Sequence, residues 1–253
     1  MKWLALLCLP LLAWPDTMPT RAVDVTFDPI GNGYLIYPTW VEKYDPSGRL
    51  LFRTGDLNFG AISSFEATDP LKPFIFFRDQ GILCPLDNTM SLQGQPLFLY
   101  SADFSQIDCV ARAVDGNYWC WDGLRNELVK VDGNLQRITA SGNMAVMLST
   151  EIHPYQLVAV GNHVCAADSV NGLLIFDFMG NFRSRTLLPS GSRLQPDDRT
   201  LLIFSDAGVQ RLDPSQPALP AEMPRKLVNA RKTVYHNHRL YWLTGDALVS
   251  EPQ

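Results

Sequence analysis

The feature that most constrains the fold of this chain is a repeated segment, a short apolar run that ends in aspartate and leads into a turn. The closing aspartates are 42, 45, 45 and 36 residues apart, at Asp45, Asp87, Asp132, Asp177 and Asp213. A sixth run, at 246–250, lies about one period further on and has no closing aspartate. Periods of roughly 20–50 residues are typical of folds built from one repeated supersecondary unit.

Within each repeat, the composition predicts β-strands. The run before the aspartate-closed one is short, β-branched or aromatic, and bounded by Asn, Asp or Gly, at 33–37, 74–79, 117–122, 163–168, 201–206 and 239–243. Such runs between turn residues indicate strands. More polar runs follow at 49–53, 135–139 and 182–186, and further strands open several units at 23–27, 110–114, 156–160 and 232–235.

These four runs per repeat of about 40 residues predict an all-β, six-bladed β-propeller of four-stranded antiparallel blades that occupies residues 23–253 as a single domain. The segment 144–152, which lies between two units, is the only modest helix candidate. In each repeat, the run that precedes the aspartate-closed run is continuously apolar, which is typical of strands covered on both faces. We therefore expect a core that includes Phe76, Trp119, Ile175, Ile203, Tyr241 and Trp242.

The pattern resembles that of the six-bladed NHL, YWTD and TolB-like propellers, through runs such as 127–132 followed by Gly133, Asn134 and Leu135. It is also similar to uncharacterised secreted or envelope propeller proteins of Gram-negative bacteria. The resemblance implies a fold, and it supplies no catalytic residues to transfer. The YWTD signature itself is absent.

The last blade departs from the pattern, because the sixth unit reaches Gln253 without a clear fourth strand. Propellers normally close when a strand from the other end of the chain completes the last blade. The segment 16–22 is a poor candidate because it contains Pro19, which cannot donate a backbone hydrogen bond. Two alternatives are open: an incomplete sixth blade, whose unpaired edge is a template for strand addition by a partner, and an edge that is covered by Asp16–Ala22.

The amino terminus has the composition of a secretory leader. Lys2 precedes an apolar run from Trp3 to Trp14 that is interrupted only by Pro10. As a helix of about 18 Å, this run is too short to span a bilayer, so residues 1–22 are predicted to be a signal peptide. Cleavage after Ala13 and cleavage after Ala22 are both open, as are a buried amino-terminal helix and lipidation at Cys8.

Four cysteines follow the leader, namely Cys84, Cys109, Cys120 and Cys165. Their spacings match no zinc framework, so buried free thiols are the preferred interpretation. Cys120 and Cys165 occupy similar places in neighbouring units and form the candidate disulfide, since an exported protein permits disulfides.

The recurrent aspartates are interpreted as structural, because an aspartate carboxylate can accept the backbone N–H two residues on; calcium binding is the alternative. His236 and His238 lie two residues apart, as a metal-binding pair on a strand would, but a turn explains them better. His153 and His163 are assigned no role, and Asp197 with Asp198 is predicted to be an exposed turn.

No nucleophile, Walker, GxGxxG or HExxH motif is present, so the sequence predicts no catalytic, cofactor-binding or metal residues and no cofactor. With 21 basic and 26 acidic residues, the formal charge is −5. The basic residues form no cluster of the kind that binds nucleic acid, so no nucleic acid partner is predicted. The hypothesis is a non-catalytic exported propeller that binds or scaffolds another envelope protein. It would be periplasmic, outer-membrane-associated or secreted, without a transmembrane span in the mature chain. The alternative is a hydrolase, lyase or quinoprotein-like dehydrogenase with its site at the channel mouth.

Overall fold

A computed structural model describes residues 14–54, 57–101, 103–104, 106–217, 221–223, 227, 229 and 232–253. Residues 1–13, which include Cys8 and most of the predicted signal peptide, lie outside the described residues. Within them, the strands form six four-stranded antiparallel sheets. Five of these sheets use four consecutive strands, and neighbouring sheets contact one another through their first strands, which surround a central axis. The chain is therefore a six-bladed β-propeller, as predicted.

From the axis outward, the four strands of each blade are called inner, second, third and outer. Blade 1 consists of Asp24–Phe27, Gly33–Ile36, Val41–Tyr44 and Leu50–Arg53. Blade 2 consists of Ser64–Glu66, Phe74–Phe77, Ile82–Pro85 and Leu97–Phe98, followed by a 3₁₀ turn at Leu99–Ser101. Blade 3 consists of Ile107–Arg112, Tyr118–Asp122, Glu127–Val131 and Arg137–Ala140.

The second half of the chain repeats this arrangement. Blade 4 consists of Pro154–Val160, His163–Asp168, Gly172–Asp177 and Phe182–Thr186. Blade 5 consists of Arg193–Asp197, Thr200–Ser205, Gly208–Leu212 and Ala221–Met223. Blade 6 takes Thr233–His236, Arg239–Leu243 and Ala247–Pro252 from the carboxyl-terminal part of the chain. The predicted helix is present between blades 3 and 4 as Met144–Leu148, and the Asn143 side chain caps it by accepting the Val146 N–H at 2.9 Å.

Blade 6 is complete, so the open edge is wrong and its alternative, coverage by the segment 16–22, is confirmed. Its outer strand is Thr17–Pro19, which pairs antiparallel with the third strand of blade 6, so that Thr17 faces Val249 and Pro19 faces Ala247. Backbone bonds from Thr20 N–H to Asp246 and from Ser250 N–H to Asp16 extend this pairing. Pro19 is tolerated because an outer strand has a partner on one side only, and its missing N–H leaves no ladder bond unmade.

The core consists of apolar clusters between neighbouring blades. Trp119 and Trp121 of blade 3, for example, pack in one cluster with Leu174 and Phe176 of blade 4. Of the predicted core residues, Phe76, Trp119, Ile175, Ile203 and Tyr241 are buried, whereas Trp242 is only partly buried. The seam between blades 6 and 1 is filled by Trp14, which is 4% exposed.

Candidate functional site

The inner strands are held to one another around the axis by side chains that bind the backbone of the next blade. Gln156 of blade 4 donates to the Leu194 carbonyl and accepts the Leu194 N–H, both at 2.8 Å. Gln195 of blade 5 makes the same pair of bonds to Tyr235 of blade 6, at 2.6 and 2.9 Å. Each glutamine side chain therefore donates one hydrogen bond to the backbone of the next inner strand and accepts one from it, as a paired strand residue does.

An arginine crosses the axis from blade 5 to blade 1. The Arg193 guanidinium forms an ion pair with Asp24 and donates to the Val25 carbonyl at 2.8 Å. Both Asp24 and Arg193 are the first residues of their inner strands. The ion pair thus lies at the end of the channel where the inner strands begin.

At the other end of the axis, Glu66 of blade 2 contacts blade 3. Its carboxylate accepts the Arg112 backbone N–H at 3.0 Å and the Thr68 hydroxyl at 2.6 Å. Burial raises the pKa of Glu66, and the hydrogen bonds and the nearby Arg112 charge offset this only in part. Glu66, Thr68, Gln156 and Arg193 line an axial cavity of about 90 Å³.

The larger cavities lie beside the axis on one face. This front face carries the turns that join inner to second strands and third to outer strands. There, a cavity of about 230 Å³ between blades 3 and 4 is walled by Val114, Trp119, Val164 and Phe178. A second cavity of about 220 Å³ adjoins it toward the axis and shares Val114 with it. We call these two cavities together the front depression.

Two turns shape the front depression. Val114 lies in the turn after the inner strand of blade 3 and is 81% exposed, and Phe178 lies in the turn before the outer strand of blade 4 and is 58% exposed. The Met179 carbonyl accepts the Thr139 hydroxyl at 3.2 Å, and Gly180 lies against the Trp119 ring. The turn of blade 4 is thus fixed to blade 3, so the depression is formed before any ligand arrives.

The front depression was not predicted from the sequence. The pattern there predicts a strand over 110–114, whereas the structure ends this strand at Arg112 and puts Val114 in an exposed turn. The signal available in the sequence was the turn Asp115–Gly116, which directly follows Val114.

The recurrent aspartates are structural, as interpreted. Asp132 accepts the N–H groups of Asn134 and Gln136 at 2.8 and 2.9 Å, and Asp45, Asp87 and Asp177 make the same pair of bonds. Asp213 accepts the Ser215 N–H at 2.8 Å. The Ser47 hydroxyl and the Arg49 N–H lower the pKa of Asp45 to about 2. These carboxylates fasten the turns between third and outer strands.

The predicted turn at the two histidines is present: His236 ends the inner strand of blade 6, and His238 lies in the hairpin turn that follows it. Asn237 and His238 have φ values of 47° and 58°, the left-handed pair that a two-residue type I′ hairpin requires. His236 stacks on Phe27 with ring centroids 4.6 Å apart, and burial lowers its pKa. Across the part of the chain that the structure describes, no three His, Cys, Asp or Glu side chains form a group suited to hold a metal.

The thiols of Cys84, Cys109, Cys120 and Cys165 are free and buried. Each one belongs to a different interblade cluster, and burial raises the pKa of Cys84, Cys120 and Cys165 to about 12. The candidate disulfide between Cys120 and Cys165 is not formed in this structure. The pair Asp197 and Asp198 begins a hairpin turn, in which Asp198 has a φ of 53°.

No helix among the described residues is long and apolar enough to cross a membrane. His153 is exposed beside Glu151, with 3.3 Å between its Nε2 and a Glu151 carboxylate oxygen, and His163 borders the front depression.

Comparison with known proteins supports the fold. No protein-family model matches the chain, and no curated protein matches it either. Among solved structures, virginiamycin B lyase from Staphylococcus aureus is similar at 9% identity with a TM-score of 0.59, over 89% of this chain and 78% of that one. The WD40 domain of Neurospora crassa Pan2 is similar at 10% identity with a TM-score of 0.60, over 88% and 75%.

A third similar structure is PorZ, a bacterial surface component of the type-IX secretion system of Porphyromonas gingivalis. It is 12% identical with a TM-score of 0.51, over 93% of this chain and 38% of that chain. These three structures are a lyase, a WD40 domain and a component of a secretion system. At such low identity the likeness establishes the propeller fold, and one fold can serve unrelated functions.

Proposed function

We propose that this chain is an exported β-propeller that binds or scaffolds another protein of the bacterial envelope, and that the partner docks on the front depression. The observation that carries the proposal is the preformed apolar depression, in which Val114 and Phe178 remain 81% and 58% exposed. Exposed apolar surface around a concave site is typical of protein interaction sites. The propeller supplies the rigid support for the turns that form it.

The axial channel supports a catalytic function less well. Its cavity of about 90 Å³ is far below the roughly 300–1,000 Å³ of typical small-molecule sites. Its polar side chains also bind the protein itself, with Gln156 and Gln195 on backbone groups and Arg193 on Asp24. The hydrolase, lyase or dehydrogenase alternative therefore receives less support than the binding module.

For export, we propose that processing removes the apolar leader at or before residue 13. The structure supports cleavage at this earlier position, because Trp14 is buried in the seam between blades 6 and 1 and Thr17–Pro19 completes blade 6. Cleavage after Ala22 would remove both. Amino-terminal sequencing of the protein from envelope fractions is expected to begin no later than Trp14, and a start at Val23 would contradict the proposal.

Site-specific photo-crosslinking tests the docking site. Benzoylphenylalanine placed at Val114 is expected to crosslink a discrete protein in the host envelope. The matched control is Val170, a valine in a turn of blade 4 on the opposite face that is 88% exposed. Crosslinking only at position 114, with loss of the product on Phe178→Ala, supports the proposal. No product, or equal products at both positions, refutes it.

A further inference from the structure

We infer that the front depression binds a partner segment that carries a basic side chain close to an apolar one. The apolar side chain enters between Val114 and Phe178, and the basic group reaches the carboxylates of Glu66 and Asp69 near the axis. This inference rests on the proposed function and names the chemistry of the partner.

The cavities form one path from the periphery to the axis. The two cavities of the front depression share Ala113, Val114 and Ala159. The inner of these two also borders the axial cavity, with which it shares Thr68 and Ala159. A segment seated over Val114 therefore lies beside Thr68, within reach of both Glu66 and Asp69.

The volumes favour a polypeptide segment over a free small molecule. Each of the two cavities of the front depression is about 220–230 Å³ and open to solvent, and the two adjoin side by side without forming the enclosed chamber that buries most of a drug-sized ligand. Cavities of this size suit single side chains, which arrive from a backbone that stays on the surface.

The basic groups around the path are already engaged. Lys130 forms an ion pair with Asp115 at 2.5 Å and lies over the Trp119 ring. The Arg112 guanidinium donates to the Gly116 and Lys72 carbonyls and lies 4.6 Å from the Tyr118 ring centroid.

Two carboxylates on the path, those of Glu66 and Asp69, stand against one guanidinium, that of Arg112, whose charge offsets the burial of Glu66 in part. Within the described residues, Glu66 accepts from the Thr68 hydroxyl and the Arg112 backbone N–H, and Asp69 accepts the Leu71 N–H of its own turn at 3.0 Å. Neither forms an ion pair in that part of the chain. Burial also raises the pKa of Glu66, and a cation arriving beside it favours the charged form. With two carboxylates and the single guanidinium of Arg112, the path keeps an excess of negative charge, which favours a basic group on the partner.

A peptide array tests the inference with the purified protein. Immobilised hexapeptides pair one Leu or Phe with one Lys, Gln or Glu at different separations on a Gly/Ser background. At the best separation, Lys peptides are expected to bind about fivefold more tightly than Gln peptides, as a partly exposed ion pair supplies, and Glu peptides more weakly still. The double variant Glu66→Gln with Asp69→Asn is expected to remove this preference.

The valine pair separates the two proposals. Val114→Asn, which makes the apolar wall polar without adding a charge, is expected to abolish binding of all peptides, whereas Val170→Asn leaves it unchanged. Equal binding of Lys, Gln and Glu peptides, a Lys preference that survives the double variant, or no binding by any peptide overturns the inference. In each of these cases, crosslinking confined to position 114 leaves the proposed function standing, and its absence removes both.

Discussion

The closure of the propeller by its amino-terminal segment is directly testable at Trp14. The indole is 4% exposed and lies 5.4 Å from the ring centroids of both Phe27 and Tyr44, and 6.5 Å from that of Tyr241. Truncation of such a buried aromatic side chain costs about 3–5 kcal/mol, because apolar contact is lost and a cavity remains. Trp14→Ala is expected to lower the free energy of unfolding by this amount, measured by urea denaturation.

A glycine beside Trp14 allows the contact to be isolated. A Cβ added at Gly33 would lie 2.2 Å from Cζ2 of Trp14, far inside van der Waals contact. Gly33→Ala alone therefore forces the indole to move, and such overpacking costs about 1–3 kcal/mol. In the Trp14→Ala background the two closest atoms are removed and the nearest remaining one is Cε1 of Phe27 at 3.0 Å, so the same substitution is expected to cost much less.

The double-mutant cycle decides whether Trp14 occupies the seam. A coupling energy of at least about 1 kcal/mol between Gly33→Ala and Trp14→Ala is expected for residues in contact. Additive losses, or a loss below about half a kilocalorie for Trp14→Ala, would refute the placement of Trp14 and with it the closure of blade 6. Gly133→Ala controls for effects on backbone entropy, because a Cβ there would meet nothing within 4 Å and Gly133, like Gly33, does not have a left-handed φ.

Three further outcomes are expected. Ile175→Ala, at a fully buried position, should lower the free energy of unfolding by about 2–5 kcal/mol in the same denaturation assay, and a loss under about half a kilocalorie would place it outside the core. Because the pKa of Asp45 is lowered to about 2, the stabilisation from its turn should be present above pH 4 and be lost as the pH falls toward 2, which acid titration of the Asp45→Asn variant against the parent protein measures. The four buried thiols should react with Ellman's reagent only after denaturation, and rapid labelling of the native protein would contradict their burial.

The blade architecture could be predicted from sequence because its signals are local. Each recurrent aspartate sits at the end of an apolar run and binds N–H groups a few residues on, so the turn and the strand before it lie within one short window. Asp132 with Asn134 and Gln136 is an example. The hairpin turn at Asn237 and His238 could be predicted for the same reason, since asparagine tolerates the left-handed backbone conformation that this turn requires.

The closing strand could not be decided from the sequence because its signals are not local. Thr17–Pro19 finds its partner more than 220 residues later, and it follows an apolar run that has the composition of a leader. Proline argues against a strand that is paired on both sides, and that rule does not extend to an outer strand. Only the pairing itself shows that this strand lies at the outside of blade 6.

The front depression was inaccessible for a related reason. Val114 and Phe178 are separated by 64 residues in the chain, and each is an ordinary exposed side chain in its own turn. They line the same cavity because Trp119 packs between blades 3 and 4 and the turn at Gly180 lies against the Trp119 ring. A site made by two neighbouring repeats leaves no mark in the pattern of either one.

The contacts of the inner-strand side chains explain why we place the proposed binding site beside the axis and not in it. Gln156, Gln195 and Arg193 bind other blades, so a substitution that freed them for a ligand would also loosen the ring of blades. Val114 and Phe178 are largely exposed, so their side chains can be exchanged without loss of a contact between blades. The side chains that line the front depression can therefore be exchanged while the closed propeller beneath them stays intact.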